Sequence, residues 1–129
     1  LVDENVRARF APGASISSSE YVGALLEREN DQQKFFASMQ NIDALLTPTT
    51  PMLPLALTEA DEASTPARFT RAINYLSMCA TSVPSGMSEG RLPTSLQIAC
   101  RGGDENMSLR IAAAYEAVRG DLPRPTLCK

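Results

Sequence analysis

The side chains that could do chemistry in this chain are serines, acidic residues and three cysteines, but a base to activate them is missing. The 129 residues contain no histidine. Ser-His-Asp and Cys-His catalysis both use imidazole to take the proton from the nucleophile. Neither arrangement can be built from this chain alone, and a histidine-ligated zinc site is excluded for the same reason.

A cluster of serines near the start of the chain has the composition of a nucleophile loop. Ser17, followed three residues later by Glu20, fits a capping box, in which each residue satisfies an unpaired backbone N–H of the first helical turn. The two lysines, Lys34 and Lys129, are not close to the cluster in sequence. We therefore interpret the cluster as a helix start. Its members are Ser15, Ser17, Ser18 and Ser19.

A further serine, Ser85, lies in the tripeptide P-S-G at 84–86, which resembles half of a nucleophile elbow. The flanking pattern of G-x-S-x-G is missing. We interpret the tripeptide as a turn that follows a strand.

Two acidic segments could hold a cation. The segment G-G-D-E at 102–105 resembles the GGDEF signature of diguanylate cyclases, but Asn106 replaces the phenylalanine and the segment leads into a helix. A glycine turn followed by an N-cap at Asp104 is the simpler interpretation. We interpret the other segment as solvated loop charge, and we predict no metal site and no cofactor. Its residues are Glu59, Asp61 and Glu62.

The cysteines Cys79, Cys100 and Cys128 are odd in number and widely spaced, with no C-x-x-C pair. A disulfide framework is therefore not expected, and a reducing compartment, the cytoplasm, is the simpler expectation. Cys79 is interpreted as a small hydrophobic residue at the buried end of a helix. Cys128 lies in the C-terminal tail.

Charge and hydropathy exclude two classes of partner. The net charge is -3 and there is no basic run, which argues against nucleic acid. No apolar run approaches the ~20 residues that span a bilayer, and the first residues lack a signal-peptide pattern. The chain does not begin with Met, so we expect it to be processed or cut from a longer protein. Its length predicts one domain, 1–129.

A long helix and a short strand organise the first half of the chain. Apolar residues at helical spacing predict a helix over 18–41 that contacts a core at both ends and water in between. Val6 and Phe10 could end an earlier helix. Residues 43–48 have the character of a short buried strand, and the prolines from Pro48 onward must end its pairing. A loop over 52–63 follows.

The second half predicts helix, strand, strand and helix. Thr65 and Pro66 are typical of a helix start. Residues 81–86 and 94–100 predict a hairpin, with Leu96, Ile98 and Cys100 on one face. A last helix should run from Asp104 to Gly120. The helix that starts near Pro66 should carry one apolar stripe, formed by Phe69, Ile73, Leu76 and Ala80. The residues of the last helix that we expect to face inward are Leu109, Ala112, Ala113, Tyr115 and Val118.

These elements predict an α/β fold, a mixed sheet of a few strands flanked by about three helices. Four segments in this order resemble one enzyme family. The segment D-A-L-L-T-P-T-T-P at 43–51 is similar to D-x-L-L-x-P-T-x-P near the C-terminal end of amidase-signature enzymes. Residues 74–86 resemble the family's Asn and its run ending in S-V-P-x-G, and residues 90–98 resemble G-L-P-x-G-L-Q-I. The turn at 101–105 and the helix ending at 114–116 match the closing helix.

The resemblance covers residues 17–122 and implies the C-terminal part of an α/β/α sandwich. It also implies catalysis by a Ser nucleophile, a second Ser in a cis peptide and a Lys, which would replace imidazole as base. All three residues lie upstream in the family, and none maps onto this chain. We therefore assign no catalytic residue here. What the segment would supply is sheet strands and part of a substrate-pocket wall near 74–86.

Three positions depart from the family pattern. Ser77 and Cys79 stand where the family has Gly and Pro, and Ser95 stands where it has Gly. A glycine often permits close approach of backbone or ligand, so side chains there suggest a narrowed pocket or a diverged member. The amide substrate therefore cannot be named from the resemblance.

The leading hypothesis is a C-terminal fragment or separately made domain of an amidase, inert alone. Its partners would be the remainder of the amidase chain and, in the full-length enzyme, a small amide substrate, with no nucleic acid and no membrane. The alternative is a non-enzymatic α/β interaction module that pairs through an exposed sheet edge. A cut sheet leaves unpaired backbone groups, so self-association is expected under either hypothesis. A nucleotide cyclase would need Mg²⁺ at Asp104 and Glu105.

Overall fold

The computed structural model describes residues 2–60, 66–89 and 92–123. Its class is α/β, as the sequence predicts. The helices are α1 (Glu4–Phe10), α2 (Ser18–Ser38), α3 (Arg68–Tyr75) and α4 (Glu105–Arg119), and the strands are β1 (Leu45–Pro48), β2 (Cys79–Met87) and β3 (Pro93–Cys100). Short 3-10 turns occupy Ala11–Ser15 and Leu57–Glu59. None of the helices in these ranges is long and apolar enough to cross a bilayer.

The chain forms two compact units. One contains α1, α2 and the segment around the second 3-10 turn, and the other contains the three strands, α3 and α4. The second unit holds every segment that carries the amidase resemblance after residue 42, so the candidate site lies within it.

Helix α2 begins at the predicted capping box. The backbone N–H of Glu20 donates to Ser17 Oγ at 3.3 Å, and Ser17 N–H donates to Glu20 Oε2 at 2.8 Å. The Ser17 hydroxyl also donates to Glu20 Oε2 at 2.6 Å, and this bond, followed by the one from the Ser17 backbone N–H, lowers the pKa of Glu20. At the other end, Phe35 and Phe36 are half-buried. Their rings pack edge to face, with 5.6 Å between the ring centroids. The apolar residues of the first turns are exposed, so the prediction that the N-terminal end of the helix contacts a core is wrong.

The three strands form one sheet with the order β1-β3-β2. Both pairings are antiparallel, so the described strands contribute no parallel pair to the mixed sheet expected from the resemblance. The predicted hairpin is confirmed as β2 and β3, and its register shifts by one residue between Pro84 and Gly86. The shift is a β-bulge at Ser85, which bends the strand at that point.

Helix α4 covers one face of the sheet. Val83, Ile98, Cys100 and Ala112 form the buried cluster between them. Ser108 is also buried, and its Oγ donates to Thr81 Oγ1 at 2.7 Å and to the Ile98 carbonyl at 3.1 Å. The predicted alternation of β3 is therefore confirmed, because its even-numbered residues from 96 to 100 face this cluster. The other residues that pack against the cluster are Ala44, Cys79, Leu96, Met107, Ile111 and Tyr115.

Two predictions about burial are wrong. Strand β1 is at the edge of the sheet rather than buried, and Leu46 is 54% exposed. On α4, Leu109 and Val118 are 57% and 83% exposed, and Ala113 is exposed too. The predictions for Ala112, which is buried, and Tyr115, which packs against the cluster, are confirmed. The residue that the prediction missed is the buried Ser108, and the small Ser108 and Ala112 let the helix backbone approach the sheet.

Three predictions about helix ends are also corrected. Helix α3 begins at Arg68, so Pro66 is not its first residue, and Thr65 lies outside the described residues. Ala80 belongs to β2 and not to the α3 stripe. Asp104 does occupy the N-cap of α4, but its side chain accepts no capping hydrogen bond there. Its carbonyl accepts instead from the N–H groups of Met107 and Ser108, at 3.1 and 3.3 Å.

The turns before β2 and after β3 meet at close range. Ser77 adopts a φ of 54°, in the left-handed region that favours glycine. A Cβ placed on Gly102 would lie 2.2 Å from the Ser77 carbonyl oxygen, so only glycine fits at that position. Ser77 is one of the positions where the family pattern has Gly, and the backbone geometry explains that pattern.

Candidate functional site

A row of polar side chains crosses the sheet on the face opposite α4. Gln97 on the central strand is the Cα partner of Thr47 on β1 and of Ser82 on β2. Its Nε2 donates to Thr47 Oγ1 at 3.0 Å. Beyond the end of β1, the hydroxyls of Thr49 and Ser82 lie 2.7 Å apart. We call Thr47, Thr49, Ser82 and Gln97 the polar row.

The polar row is buried at its centre and exposed at one end. Gln97 is only 4% exposed, whereas Ser82 is exposed and both threonines are half-buried. A buried amide costs free energy unless it is hydrogen-bonded, and Thr47 supplies that bond. The arrangement presents hydroxyl and amide groups, which can donate to or accept from a polar ligand but have no strong base among them.

The bulge of β2 is held in place by helix α4. Arg119 Nη1 donates to the Pro84 carbonyl at 2.6 Å, and Tyr115 Oη donates to the Ser85 carbonyl at 3.4 Å. The Ser85 hydroxyl lies 3.0 Å from Thr94 Oγ1 on the neighbouring strand. The tripeptide at 84–86 is therefore part of β2, and the prediction of a turn after the strand is wrong. Pro and Gly in a short segment are typical of a turn, but here they flank a β-bulge within the strand. Gly86, with a φ of 153°, lies where the strand register shifts.

The early serine cluster acts in helix capping and turn formation. Ser17 caps α2, and the hydroxyl of Ser19 lies 3.1 Å from that of Ser17. Ser15 Oγ donates to the Pro12 carbonyl at 2.8 Å, and Ser18 is the first residue of α2. Lys34 lies on the same helix with an exposed side chain, and Lys129 lies outside the described residues.

The acidic segments bring no ligands together in the part of the chain that the structure describes. No group of three or more His, Cys, Asp or Glu side chains there could hold a metal ion. The glycines at 102 and 103 form a turn in which Asp104 N–H donates to the Arg101 carbonyl at 3.0 Å, and Glu105 begins α4. Glu59 ends the second 3-10 turn, while Asp61 and Glu62 fall outside the described residues.

The cysteines are placed differently from the sequence interpretation. Cys79 is the first residue of β2 rather than the end of a helix, and it is half-buried. Cys100 is fully buried at the end of β3. Cys128 lies outside the described residues.

Comparison with known proteins identifies the family. A family model described as Amidase matches residues 1–109. That match spans most of the chain, including the strand, the proline run and the hairpin described above. The chain belongs to the amidase family.

Relatives of this amidase-family chain carry two kinds of name. It is 31% identical to a fatty acid amide hydrolase of Medicago truncatula, over 93% of this chain and 21% of that protein. It is 35% identical to a glutamyl-tRNA(Gln) amidotransferase subunit of Mycolicibacterium gilvum, over 85% of this chain and 22% of that protein. The corresponding subunit of Geobacter metallireducens is 33% identical over 88% of this chain and 25% of its own length.

Solved structures agree with the fold. A crystal structure of an amidase superposes with a TM-score of 0.75 at 24% identity, covering 92% of this chain and 29% of that one. The glutamyl-tRNA(Gln) amidotransferase subunit of Thermotoga maritima gives a TM-score of 0.62 at 30% identity, covering 88% of this chain and 26% of that one. The amidase-family chain thus spans between a fifth and a third of the proteins it matches.

Part of this site was not found from the sequence. The alternation of β3 predicts Gln97 on the face opposite Leu96 and Ile98, which is confirmed, but its pairing with Thr47 depends on a register that no local pattern specifies. Of the two residues of α4 that hold the bulge, Tyr115 was predicted to face inward, but neither its hydrogen bond nor that of Arg119 to β2 was predicted. Their spacing of four residues, one helical turn, is the only signal that they could act together.

Proposed function

We propose that this chain is the C-terminal part of an amidase that hydrolyses a C–N amide bond, and that it supplies sheet strands and one wall of the substrate pocket. The observation that carries the proposal is its identity of 31–35% to an amide hydrolase and an amidotransferase subunit, over 85–93% of this chain. Because the chain spans only 21–22% of those two proteins, most of the machinery of such an enzyme would lie outside it.

The chemistry would follow the Ser, Ser and Lys mechanism that the family resemblance implies, with an acyl-enzyme intermediate. Three hydroxyl pairs in the unit that holds the sheet contain only neutral partners: Ser82 with Thr49, Ser85 with Thr94, and Ser108 with Thr81. None of these pairs contains a base that could take the proton from a nucleophile. The Ser17 hydroxyl does donate to a carboxylate, Glu20 Oε2 at 2.6 Å, but this bond belongs to the capping box of α2 and lowers the pKa of Glu20, which makes it a weaker base. We therefore propose that the chain alone is catalytically inert.

The pocket wall would be built from the segment at 74–86 and from the polar row beside it. Bulges commonly re-aim a strand next to an active site, and the bulge here has both of its carbonyls bonded to α4. Ser82 gives the row an exposed hydroxyl that could bond the polar group of an amide, whereas the buried Gln97 would hold Thr47 in place. The proposed substrate of the full-length enzyme is a small amide, and one of the relatives is named a fatty acid amide hydrolase.

The remainder of the amidase chain is the proposed partner. Strands β1 and β2 are the outer strands of the described sheet, so each has one side without a neighbouring strand there. Such edges are templates for pairing with another strand. The exposed Leu46 on β1 and the exposed Ala80 and Ser82 on β2 would be covered when those edges pair. Without that partner, the same edges would favour self-association.

The second candidate function is a non-enzymatic interaction module, which the same two edges also favour. The coding sequence upstream of this chain separates the two. A Gly/Ser-rich stretch with an upstream Lys supports the amidase, whereas a start codon directly before the first residue supports the independent module.

Hydrolysis assays test the proposal of inertness. The purified chain is incubated with a long-chain fatty acid amide and with a small primary amide, and the released ammonia is measured against a buffer control. We expect no release above buffer for the chain or for its Ser85→Ala and Ser38→Ala variants. Release that depends on the protein, disappears in Ser85→Ala and persists in Ser38→Ala would overturn the proposal.

A further inference from the structure

Two free cysteines lie directly opposite each other on neighbouring strands. Cys79 begins β2, Cys100 ends β3, and the two are Cα partners in the antiparallel register. Opposed residues of an antiparallel pair have Cα atoms about 4.5–5.5 Å apart, and their side chains point to the same face. Disulfides span Cα separations of about 4.4–6.8 Å, so this pair needs no movement of the strands to be bridged.

Both sulfur atoms lie at the same end of the core. Cys100 is buried in the cluster under α4, and Cys79 packs against that cluster while half-buried. The Cys79 thiol donates to the Arg101 carbonyl at 3.1 Å, which places its sulfur beside the residue that follows Cys100. Rotation of the Cys79 side chain away from that carbonyl is the local change that bond formation requires.

We propose that Cys79 and Cys100 form a reversible cross-strand disulfide when the chain meets a low-molecular-weight disulfide such as oxidised glutathione. The half-buried Cys79, as the thiolate, attacks one glutathione sulfur and releases one glutathione thiolate. Cys100, as the thiolate, then attacks the Cys79 sulfur of the mixed disulfide and releases the second. Two protein thiols are oxidised and one glutathione disulfide is reduced. The two protons that the protein thiols lose pass through solvent to the two released glutathione thiolates, which become thiols.

The order of the two steps follows from burial. Burial raises the pKa of the Cys100 thiol, with Cys79, Asp104 and Asp43 adding to the rise. Thiolate is the attacking species, so Cys100 is the slower thiol near neutral pH and suits the second, intramolecular step. The closure should therefore become faster as the pH rises. Aliphatic packing around Cys100 leaves it little access to outside reagents, which protects it from forming its own mixed disulfide.

The bond would tie the turn before β2 to the turn after β3. These are the same two turns that meet where Gly102 approaches Ser77. A crosslink between residues 79 and 100 also shortens the loop that the unfolded chain can explore. The oxidised chain should therefore unfold at a higher urea concentration than the reduced chain.

Peptide mapping tests the proposal independently of amide hydrolysis. The third cysteine is removed by Cys128→Ser, and the folded chain is treated with oxidised glutathione at two pH values. These are about pH 7 and about pH 8.5, and the second is close to the ordinary pKa of a cysteine thiol. Trypsin cleaves after Arg71, Arg91 and Arg101, so Cys79 and Cys100 fall in separate peptides, 72–91 and 92–101. We expect these peptides to be joined in a non-reducing digest, to separate on reduction, and to join faster at the higher pH.

Single substitutions in the same background sharpen the result. With Cys100→Ser, Cys79 should end as a stable mixed disulfide with glutathione, because no second thiol displaces it. With Cys79→Ser, Cys100 should remain a free thiol. Glutathione that stays on Cys79 in the chain with both cysteines would overturn the proposal. A linked product that unfolds at a lower urea concentration than the reduced chain would overturn it as well.

Discussion

Helices α2 and α4 are stabilised in different ways, although the sequence predicts both as helices that pack apolar residues against a core. Helix α4 packs its buried Ser108 and Ala112 on the sheet and reaches the β2 bulge through Tyr115 and Arg119. Helix α2 has no buried residue, and its well-defined features are local, a capping box and a pair of aromatic rings. Most helices in proteins are stabilised by packing one face against a core, and α2, which buries no residue, differs from them in this respect.

The difference indicates that the first turns of α2 are an interaction surface. The first turns of α2 expose a set of apolar side chains in sequence order, and a large exposed apolar patch commonly marks an interaction site. Its members are Tyr21, Val22, Leu25 and Leu26. The core under α4 is closed by its own residues, whereas the described part of the chain leaves the patch on α2 exposed, as we would expect if the remainder of the proposed amidase covers it.

The largest expected effect comes from the core under α4. Ile98 is 0% exposed, so Ile98→Ala removes buried methyl groups, leaves a cavity and should cost about 3 kcal/mol of unfolding free energy. The matched change on α2, Leu26→Ala, removes a side chain that is 62% exposed and should alter stability by no more than about 0.5 kcal/mol. Urea unfolding followed by circular dichroism measures both. Equal losses would break the comparison between the two helices.

The next effect uses one substitution at two glycines. Gly102→Ala would place a Cβ 2.2 Å from the Ser77 carbonyl oxygen, and relieving that overlap should cost about 2 kcal/mol. Gly23 lies inside α2 with no atom within 4 Å of the added Cβ, so Gly23→Ala should stabilise by about 0.5–1 kcal/mol. Thermal unfolding reports both signs. The same sign at both positions would contradict the account of the turn at Gly102.

A smaller gain is expected at Ser77, where φ is 54°. Glycine adopts this conformation at no steric cost, whereas a residue with a Cβ is strained by about 1 kcal/mol. Ser77→Gly should therefore be more stable than Ser77→Ala by about that amount, since both lack the hydroxyl. Urea midpoints of the two variants give the difference directly. An alanine variant as stable as the glycine variant would show that the turn carries no strain.

The smallest effect concerns the capping box of α2. Ser17→Ala removes the side-chain acceptor of the cap and should cost about 1 kcal/mol or less. The pKa of Glu20 is lowered in the folded chain, so its contribution is present above the ordinary value of 4.5 and is lost as the pH falls. Helicity measured against pH should show this loss in the unaltered chain and not in Glu20→Gln. A loss of the same size in Glu20→Gln would assign it to another carboxylate.

Much of the fold could be predicted from the sequence because its signals are local. The alternation of Leu96, Ile98 and Cys100, the turn residues between two apolar runs, and the Ser17–Glu20 spacing each depend on a few neighbouring residues. The order of the family-like segments then predicted the amidase family, which the family comparison confirms.

The inward face of α4 could not be predicted because apolar residues surround that helix. Periodicity favoured Leu109 and Val118 over Ser108, but a small hydroxyl residue allows close approach to the sheet and finds a partner in Thr81. The exposure of β1 is likewise a property of strand order, and an apolar run is the same in sequence at the centre or at the edge.

The candidate site was less predictable than the fold because it depends on register. The polar row joins residues of β1, β2 and β3, and the contact between Thr47 and Gln97 spans fifty positions of sequence. The pairing of Cys79 with Cys100 arises in the same way. A shift of one residue in the register of β1 would move Thr47 to the other face, and the same shift in β2 would move Ser82 and Cys79.

The most direct test of the central claim is reconstitution of amide hydrolysis from two parts. The amidase portion that we propose lies upstream of this chain is produced separately, and ammonia release from an amide is measured for each part and for the mixture. The account predicts that neither part is active alone and that activity appears when they are combined. Full activity of the preceding portion without this chain would contradict the claim that the chain completes the sheet and the pocket.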